Sequence, residues 1–142
     1  MGLKNWKSKK NRTYEDKLLL KYWRRVGGLI YTEVLFGKGL HQKWPKGSKP
    51  RRIDAVRIVL RRGARINSNI VVFKSKVNAE EFEKHIHGAD VEIIEIQEDL
   101  DRKIIGQAVV GVHLLKMYYK PSKIIPTTLS EIKDPLLEQV CK

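Results

Sequence analysis

The chain has 142 residues, of which 42% are hydrophobic and 32% are charged, a composition typical of one globular domain and not of a disordered protein. The formal net charge is +13, and a single cysteine, Cys141, excludes a disulfide framework or a cysteine-rich zinc site within the chain. No apolar run approaches the roughly 18 residues that span a bilayer, and no apolar segment follows the basic N-terminus, so we expect a cytoplasmic protein without a membrane partner.

Helix signals come first in the chain. Residues 1–11 are basic and polar, which indicates a loose arm. Thr13 and Asp16 form a weak capping box at the start of a helix whose apolar residues recur at helical spacing. Gly27 and Gly28 are expected to end this helix, because glycine readily adopts the backbone conformation found there.

Two strands follow the helix, because residues 29–36 and 51–60 are rich in β-branched and other apolar side chains. The loop between them is rich in Gly, Pro and Lys, and its charge suits contact with phosphates. Trp44 in this loop would either stack on a base or pack against the protein. The sequence leaves both roles open.

The second half of the chain combines strands and helices. An insertion at 61–89 contains a short strand and a helix that Asn78 is expected to cap. A strand at about 90–97 precedes a long helix, and a last strand lies at about 122–129. A tail helix is expected within 129–142. This order predicts a single α/β domain with a mixed central sheet flanked by helices.

The positive charge is concentrated in the first part of the chain. Residues 1–62 contain 18 Lys or Arg against four acidic residues, whereas residues 63–142 contain 11 against 12. A basic surface of this size indicates a polyanionic partner, most often nucleic acid. The alternative is that the charge serves only solubility.

Acidic residues inside apolar strands are the most informative feature of the sequence. Alternation along a strand places Asp54 on the same face as Val56 and Ile58. In the strand VEIIEIQ it places Glu95 on the same face as Gln97. Burial of a carboxylate is costly unless it is paired or binds a cation, and Mg²⁺ is held by one or two carboxylates with waters and phosphates. The alternative is that each acid pairs with one of the many arginines.

The order of a helix, a strand, the RID strand, the EIQ strand and a helix with GQ resembles the PD-(D/E)XK nuclease superfamily, which includes restriction endonucleases, Holliday-junction resolvases and RecB-type nucleases. The resemblance covers residues 13–127 and implies a restriction-endonuclease-like αβββαβ core with a small strand–helix insertion. It also implies that Asp54 and Glu95 bind Mg²⁺ or Mn²⁺. Gln97 stands where the motif normally has a lysine.

Two positions of the implied site stay open. Gln97 cannot supply the positive charge of a lysine, a role that Lys103 on the next helix could take. Many members of the superfamily carry a further acid, which here is either Glu33 in the first strand or Glu15 in the first helix. Glu33 is favoured because an acid is more unusual in an apolar strand than at the start of a helix.

The resemblance therefore implies a metal-dependent endonuclease that hydrolyses phosphodiester bonds in DNA. The expected metal ligands are Asp54, Glu95, Glu33 or Glu15, and the backbone carbonyl of Ile96. The residues expected to contact nucleic acid are Lys49, Arg51, Arg52, Arg61, Arg62 and Gln107. Duplex, junction and single-stranded DNA are all open as substrates, and a homodimer could cut both strands. The alternatives are a weak or inactive nucleic-acid-binding module on a degenerate nuclease scaffold and a basic adaptor that binds other proteins.

Overall fold

The structure, a computed structural model, describes residues 6–7, 9–37, 40–41, 44–59, 68–97 and 102–130. The predictions for Arg61, Arg62 and residues 131–142 of the tail helix lie outside these ranges, and Leu129, where that helix was expected to begin, is in the last strand. The elements in chain order are a short 3₁₀ helix at Lys9–Asn11, α1 at Tyr14–Val26, β1 at Leu29–Phe36, β2 at Arg51–Ile58, β3 at Asn69–Val72, α2 at Ser75–Ile86, β4 at Asp90–Ile96, α3 at Arg102–Tyr118 and β5 at Lys123–Leu129. None of the helices within the described ranges combines the length and the apolar character that crossing a bilayer requires.

The strands form one mixed sheet in the order β3-β1-β2-β4-β5. β2 is antiparallel to both β1 and β4, so these three strands form the centre of the sheet. β3 is parallel to β1 at one edge, and β5 is parallel to β4 at the other. A parallel neighbour requires a crossover connection, which α3 supplies between β4 and β5. The predicted α/β class with a mixed central sheet is confirmed.

Helices cover both faces of the sheet. α1 buries Leu19, Leu20 and Trp23 in a core that includes Ile94 of β4. The core on the opposite face takes residues from α2 and α3, together with strand residues Tyr31, Val34, Ile53, Val56 and Ile93. A Cβ atom added at Gly111 of α3 would lie only 3.1 Å from Ile93 Cγ2, so the helix lies very close to β4 at this point.

The two ends of α1 follow the sequence signals. Thr13 Oγ1 accepts a hydrogen bond from the Asp16 amide, and the Asp16 carboxylate accepts one from the Thr13 amide, which completes the predicted capping box. Gly27 ends the helix with a φ of 68°, in the region that glycine tolerates best. Capping at both ends defines where the helix begins and ends, and therefore which of its faces meets the sheet.

Asn78 lies at a kink between two helical segments, close to the predicted helix start, but its side chain does not form the predicted cap. α2 begins at Ser75, and Asn78 interrupts it with a φ of −125° and a ψ of 17°. The Asn78 side chain turns back toward the preceding strand, where its Oδ1 accepts from the Lys74 amide and its Nδ2 donates to the Val72 carbonyl. Local bonds of this kind compete with capping, because they use the same side-chain atoms.

Trp44 packs against the protein, which decides between the two roles that the sequence left open. Its ring lies 5.7 Å from the ring of Tyr118 and 6.3 Å from that of His41, centroid to centroid. Its indole N–H donates to the Ser48 carbonyl. These contacts attach the loop before β2 to the end of α3.

Candidate functional site

The regular alternation of β1 and β2 breaks at the predicted site. In β1, Tyr31 and Val34 are three positions apart and yet enter the same core. In β2, Ile53 and Val56 are likewise three positions apart and enter the same core. Strict alternation would place Asp54 on the face of Val56 and Ile58, and it does not hold in this strand. Side chains on a regular strand point to opposite faces in turn, so each strand has a local irregularity at this point.

The side chain of Asp54 reaches across to β4. The antiparallel ladder between β2 and β4 pairs Ala55 with Ile94. Beyond this pair, the amide N–H of Ile96 donates to Asp54 Oδ2 over 2.9 Å. The Asp54 carboxylate therefore accepts the hydrogen bond that a backbone carbonyl of the neighbouring strand would accept in a regular ladder.

Glu95 is buried beside this carboxylate, with 3% of its surface exposed. Burial raises the pKa of Glu95 to about 9, and repulsion by Asp54 and a side-chain hydrogen bond to Asp54 act in the same direction. Glu95 is buried against Asp54, which is itself partly exposed, and a carboxylate buried beside a second carboxylate is costly unless it is protonated or a cation compensates its charge. The pair therefore holds a proton near neutral pH or binds a positively charged group.

Glu15 approaches the pair from α1. Partial burial raises the pKa of Glu15, and repulsion by Asp54 is the next largest cause, followed by repulsion from Asp16. Lys7 acts in the opposite direction. Repulsion from Asp54 means that this helix carboxylate lies within electrostatic range of the acid pair. Of the two acids that the sequence left open, Glu15 is the one that Asp54 influences in this way.

Glu33 lies at an interruption of the ladder between β1 and β2, since its neighbours Thr32 and Val34 have register partners in β2 and Glu33 and Asp54 do not pair. The Glu33 carboxylate faces Arg52. The distance from Glu33 Oε1 to the Arg52 guanidinium is 3.6 Å, and 41% of the Glu33 side chain is exposed. Glu33 has a φ of 56°, a left-handed backbone conformation that side chains other than glycine adopt at a cost. The strain lies directly beside Asp54.

We expect Glu33→Gly to raise the free energy of unfolding by about 1 kcal/mol, because glycine adopts a positive φ without a steric cost. Glu33→Ala removes the same carboxylate but keeps the strain, so it should change the stability little, since an exposed ion pair contributes little. Urea denaturation of both variants measures the difference. Equal stabilities for the two variants would show that the left-handed backbone is not strained.

The other predicted residues lie on the end of β4 and on α3. Gln97 follows β4, and its amide oxygen is buried without a hydrogen-bond partner among the described residues. Lys103 and Gln107 are exposed on α3, where the contacts described for that helix do not connect them to Asp54 or Glu95. The Ile96 amide contacts Asp54, while the role predicted for the Ile96 carbonyl stays a prediction.

Three of the predicted phosphate-binding cations lie just before the acid pair. Lys49, Arg51 and Arg52 are exposed at the start of β2, between two and five positions before Asp54. Arg61 and Arg62 lie outside the described residues. The described cations therefore lie on the N-terminal side of Asp54, at the beginning of β2.

A buried network that the sequence reasoning missed lies further along the same two strands. The Arg57 guanidinium pairs with Glu92 Oε1 over 3.1 Å, and the hydroxyls of Tyr22 and Thr127 each donate to Glu92 Oε2 over 2.6 Å. Arg57 also donates to the Gly27 carbonyl at the end of α1. Pairing with arginine therefore explains Glu92, and does not explain the acid pair.

The acid pair offers oxygen ligands alone. Within the part of the chain that the structure describes, no three His, Cys, Asp or Glu side chains are arranged to hold a metal ion. Mg²⁺ needs only one or two carboxylates when waters and substrate phosphates complete its coordination, and Mn²⁺ also prefers oxygen. Two contacting carboxyl groups and the unpartnered Gln97 oxygen fit such an ion by their chemistry.

Comparison of the chain with protein-family models, with curated proteins and with solved structures finds no significant match. The interpretation of the site therefore depends on its own geometry and charge.

Proposed function

We propose that this protein is a metal-dependent nuclease that hydrolyses phosphodiester bonds in DNA, as the resemblance to the PD-(D/E)XK superfamily implies. The observation that carries the proposal is the contact between Asp54 and Glu95. Both carboxyl groups lie where β2 and β4 stop pairing, and the pKa of Glu95 rises to about 9. A strongly perturbed acid with a specific charged neighbour is a frequent mark of a functional site.

The order of the elements supports the same proposal. Without β3 and α2, the remaining elements follow one another as helix, strand, strand, strand, helix and strand. β3 joins the sheet at its outer edge, beside β1, so the β3–α2 segment can be regarded as an insertion that leaves the central strands in place. This arrangement is compatible with the αβββαβ core implied by the resemblance.

Each residue of the site has a proposed role. Asp54 and Glu95 would hold Mg²⁺. Glu15, whose pKa is raised by partial burial and then by repulsion from Asp54, would act on the ion through its charge and not as a third ligand. When bound, the ion supplies an activated water and compensates charge on the scissile phosphate. The amide oxygen of Gln97 can accept a hydrogen bond that orients a water or the substrate. Lys49 and Arg51 would hold the phosphates on either side.

A second candidate is a nucleic-acid-binding module without cleavage activity. Gln97 favours it, because an amide carries no positive charge to stabilise the transition state where the motif normally has a lysine. Lys103 is exposed on α3 and could compensate only if it turned toward the pair. The basic first part of the chain is compatible with both candidates.

Cleavage of labelled duplex, four-way-junction and single-stranded DNA tests the proposal. We expect cleavage with Mg²⁺ or Mn²⁺ and none in EDTA, on at least one of the three substrates. Salt-sensitive binding without cleavage of any substrate would support the second candidate. Absence of both binding and cleavage would support the adaptor that the sequence left open.

A further inference from the structure

A second positively charged surface lies along one flank of α1. It is a groove with a volume of about 420 Å³. Its lining residues are Lys9, Arg12, Lys17, Leu20, Lys21 and Arg24. All of them except Leu20 are cationic, and none is acidic. We call this surface the α1 groove.

The spacing of the helix residues builds the groove. Lys17, Lys21 and Arg24 are separated by four and three positions, which places them on one face of α1. Leu20 lies beside them, and it is buried at the boundary with the core. The groove therefore has an apolar floor and a line of cations along its side.

Lys9 and Arg12, which precede α1, form the remaining wall of the groove, and contacts with Trp6 and Lys7 tie this stretch to the helix. The Arg12 guanidinium lies 5.0 Å from the centre of the Trp6 ring, and Arg12 Nε donates to the Lys7 carbonyl. The Lys7 ammonium pairs with Asp16 over 3.1 Å, and the Asp16 carboxylate also caps the helix. The Asp16 carboxylate is thus paired with the Lys7 ammonium and hydrogen-bonded to the Thr13 amide. The wall that carries Lys9 and Arg12 is held in place against α1.

We propose that the α1 groove binds backbone phosphates of a nucleic acid. Five cations without an acid among the lining residues form the electrostatic surface that a polyanion requires. The rise from Lys17 to Arg24 is about 10 Å, at 1.5 Å per helical residue. Along the axis of a DNA duplex, the phosphates of one strand rise by 3.4 Å each, so this length corresponds to about three phosphates.

The groove is separate from the acid pair. Glu15 precedes Lys17 by two positions, which is a rotation of about 200° around a helix of 3.6 residues per turn. The carboxylate near Asp54 and the cations of the groove therefore lie on different flanks of α1. The inference rests on the proposed function only for the kind of partner, nucleic acid, and it assigns the groove to binding and not to the chemical step.

Two variants with equal charge test the inference. The groove variant is Lys17→Gln/Lys21→Gln/Arg24→Gln, and its control is Lys116→Gln/Lys120→Gln/Lys123→Gln. All six residues are exposed, and the control residues lie outside the groove. Glutamine has a helix propensity close to those of Lys and Arg, so the groove variant should keep α1 intact. Circular dichroism is used to check that both variants are folded.

Binding is measured by the fluorescence anisotropy of a labelled duplex in EDTA, between 50 and 200 mM salt. We expect the groove variant to bind at least about 10-fold more weakly at low salt. Its slope of log affinity against log salt should be smaller by about 2 to 3, since each lost phosphate contact lowers the slope by about 1. The control should bind much as the unaltered protein does.

Equal loss of affinity in the two variants would overturn the inference, because the effect would then come from net charge. It would also be overturned if the groove variant lost binding to anionic lipid vesicles and kept its affinity for DNA. The same proteins assayed with Mg²⁺ separate this result from the proposed function. If the groove variant alone loses affinity and no protein cleaves DNA, the groove inference is supported and the proposed nuclease activity is contradicted. If the unaltered protein cleaves DNA and the groove variant and its control bind equally well, the nuclease is supported and the groove inference is contradicted.

Discussion

Replacement of Glu95 by Gln is expected to lower the rate of metal-dependent DNA cleavage by on the order of 10³-fold, since a bound metal ion contributes several kcal/mol of charge stabilisation. Glutamine is nearly the same size as glutamate and can keep a hydrogen bond to Asp54. The change removes the negative charge that would hold the cation, while the packing around a buried side chain stays nearly the same. Initial rates under excess protein, with Mg²⁺ at a fixed concentration, measure the effect.

Asp54→Asn should have an effect of similar size for the same reason. An asparagine oxygen can still accept the hydrogen bond from the Ile96 amide, so the variant should remain folded. Glu80 supplies the control, because it is exposed on α2 and pairs with Lys84 four positions later. Normal cleavage by Glu80→Gln and full activity in Glu95→Gln would together contradict the proposed site.

The same assay decides between the two further acids. We expect Glu15→Gln to reduce cleavage, because Asp54 lies within electrostatic range of that carboxylate. Glu33→Gln should change the rate less, because its carboxylate faces Arg52 at the surface. The opposite result would return Glu33 to the role that the sequence favoured.

The elements of this fold could be predicted because each has local signals. The capping box and Gly27 define α1, and β-branched residues define the strands. Asn78 was misjudged because its capping atoms form bonds to Lys74 and Val72, a competition that depends on where β3 ends. The sheet order could not be read from the sequence, since it depends on which edge receives β3.

The surroundings of the two acids in the sequence predict the acid pair, and a second pair of opposite charges indicates its register. Arg57 and Glu92 are register partners in the antiparallel ladder of β2 and β4. Asp54 lies three positions before Arg57, and Glu95 lies three positions after Glu92. Any register that pairs the buried opposite charges must therefore bring the two acids opposite each other. The break in alternation at Glu33 could not be predicted, because a positive φ in a glutamate has no sequence signature.

The stability of the metal-free protein is expected to fall as the pH rises from 7 to about 9. Glu95 keeps its proton in the folded protein up to a pKa of about 9, whereas the unfolded chain releases it above its usual pKa of 4.5. The folded state therefore binds more protons in this interval, and a rise in pH favours unfolding, by at most about 1.4 kcal/mol per pH unit. Urea denaturation at intervals of half a pH unit measures the slope.

The interval above pH 7 isolates this effect from that of His41. Burial lowers the pKa of His41 below its usual 6.5, so the unfolded chain binds the proton first as the pH falls. His41 therefore reduces the stability below about pH 6.5, in the opposite direction to Glu95. Its contribution is small above pH 7, where the His41 imidazole is mostly neutral in both states.

Glu95→Gln should abolish the decline above pH 7, because an amide has no proton to release in this range. The variant is expected to be more stable than the unaltered protein at pH 9, while Glu80→Gln should decline as the unaltered protein does. Mg²⁺ should stabilise the unaltered protein most at high pH, because the cation takes the place of the proton between the two carboxylates. Stabilisation by Mg²⁺ that is equal in Glu95→Gln would mean that the ion binds elsewhere. A decline that persists in Glu95→Gln would mean that another group titrates, and that Asp54 and Glu95 do not form a coupled pair.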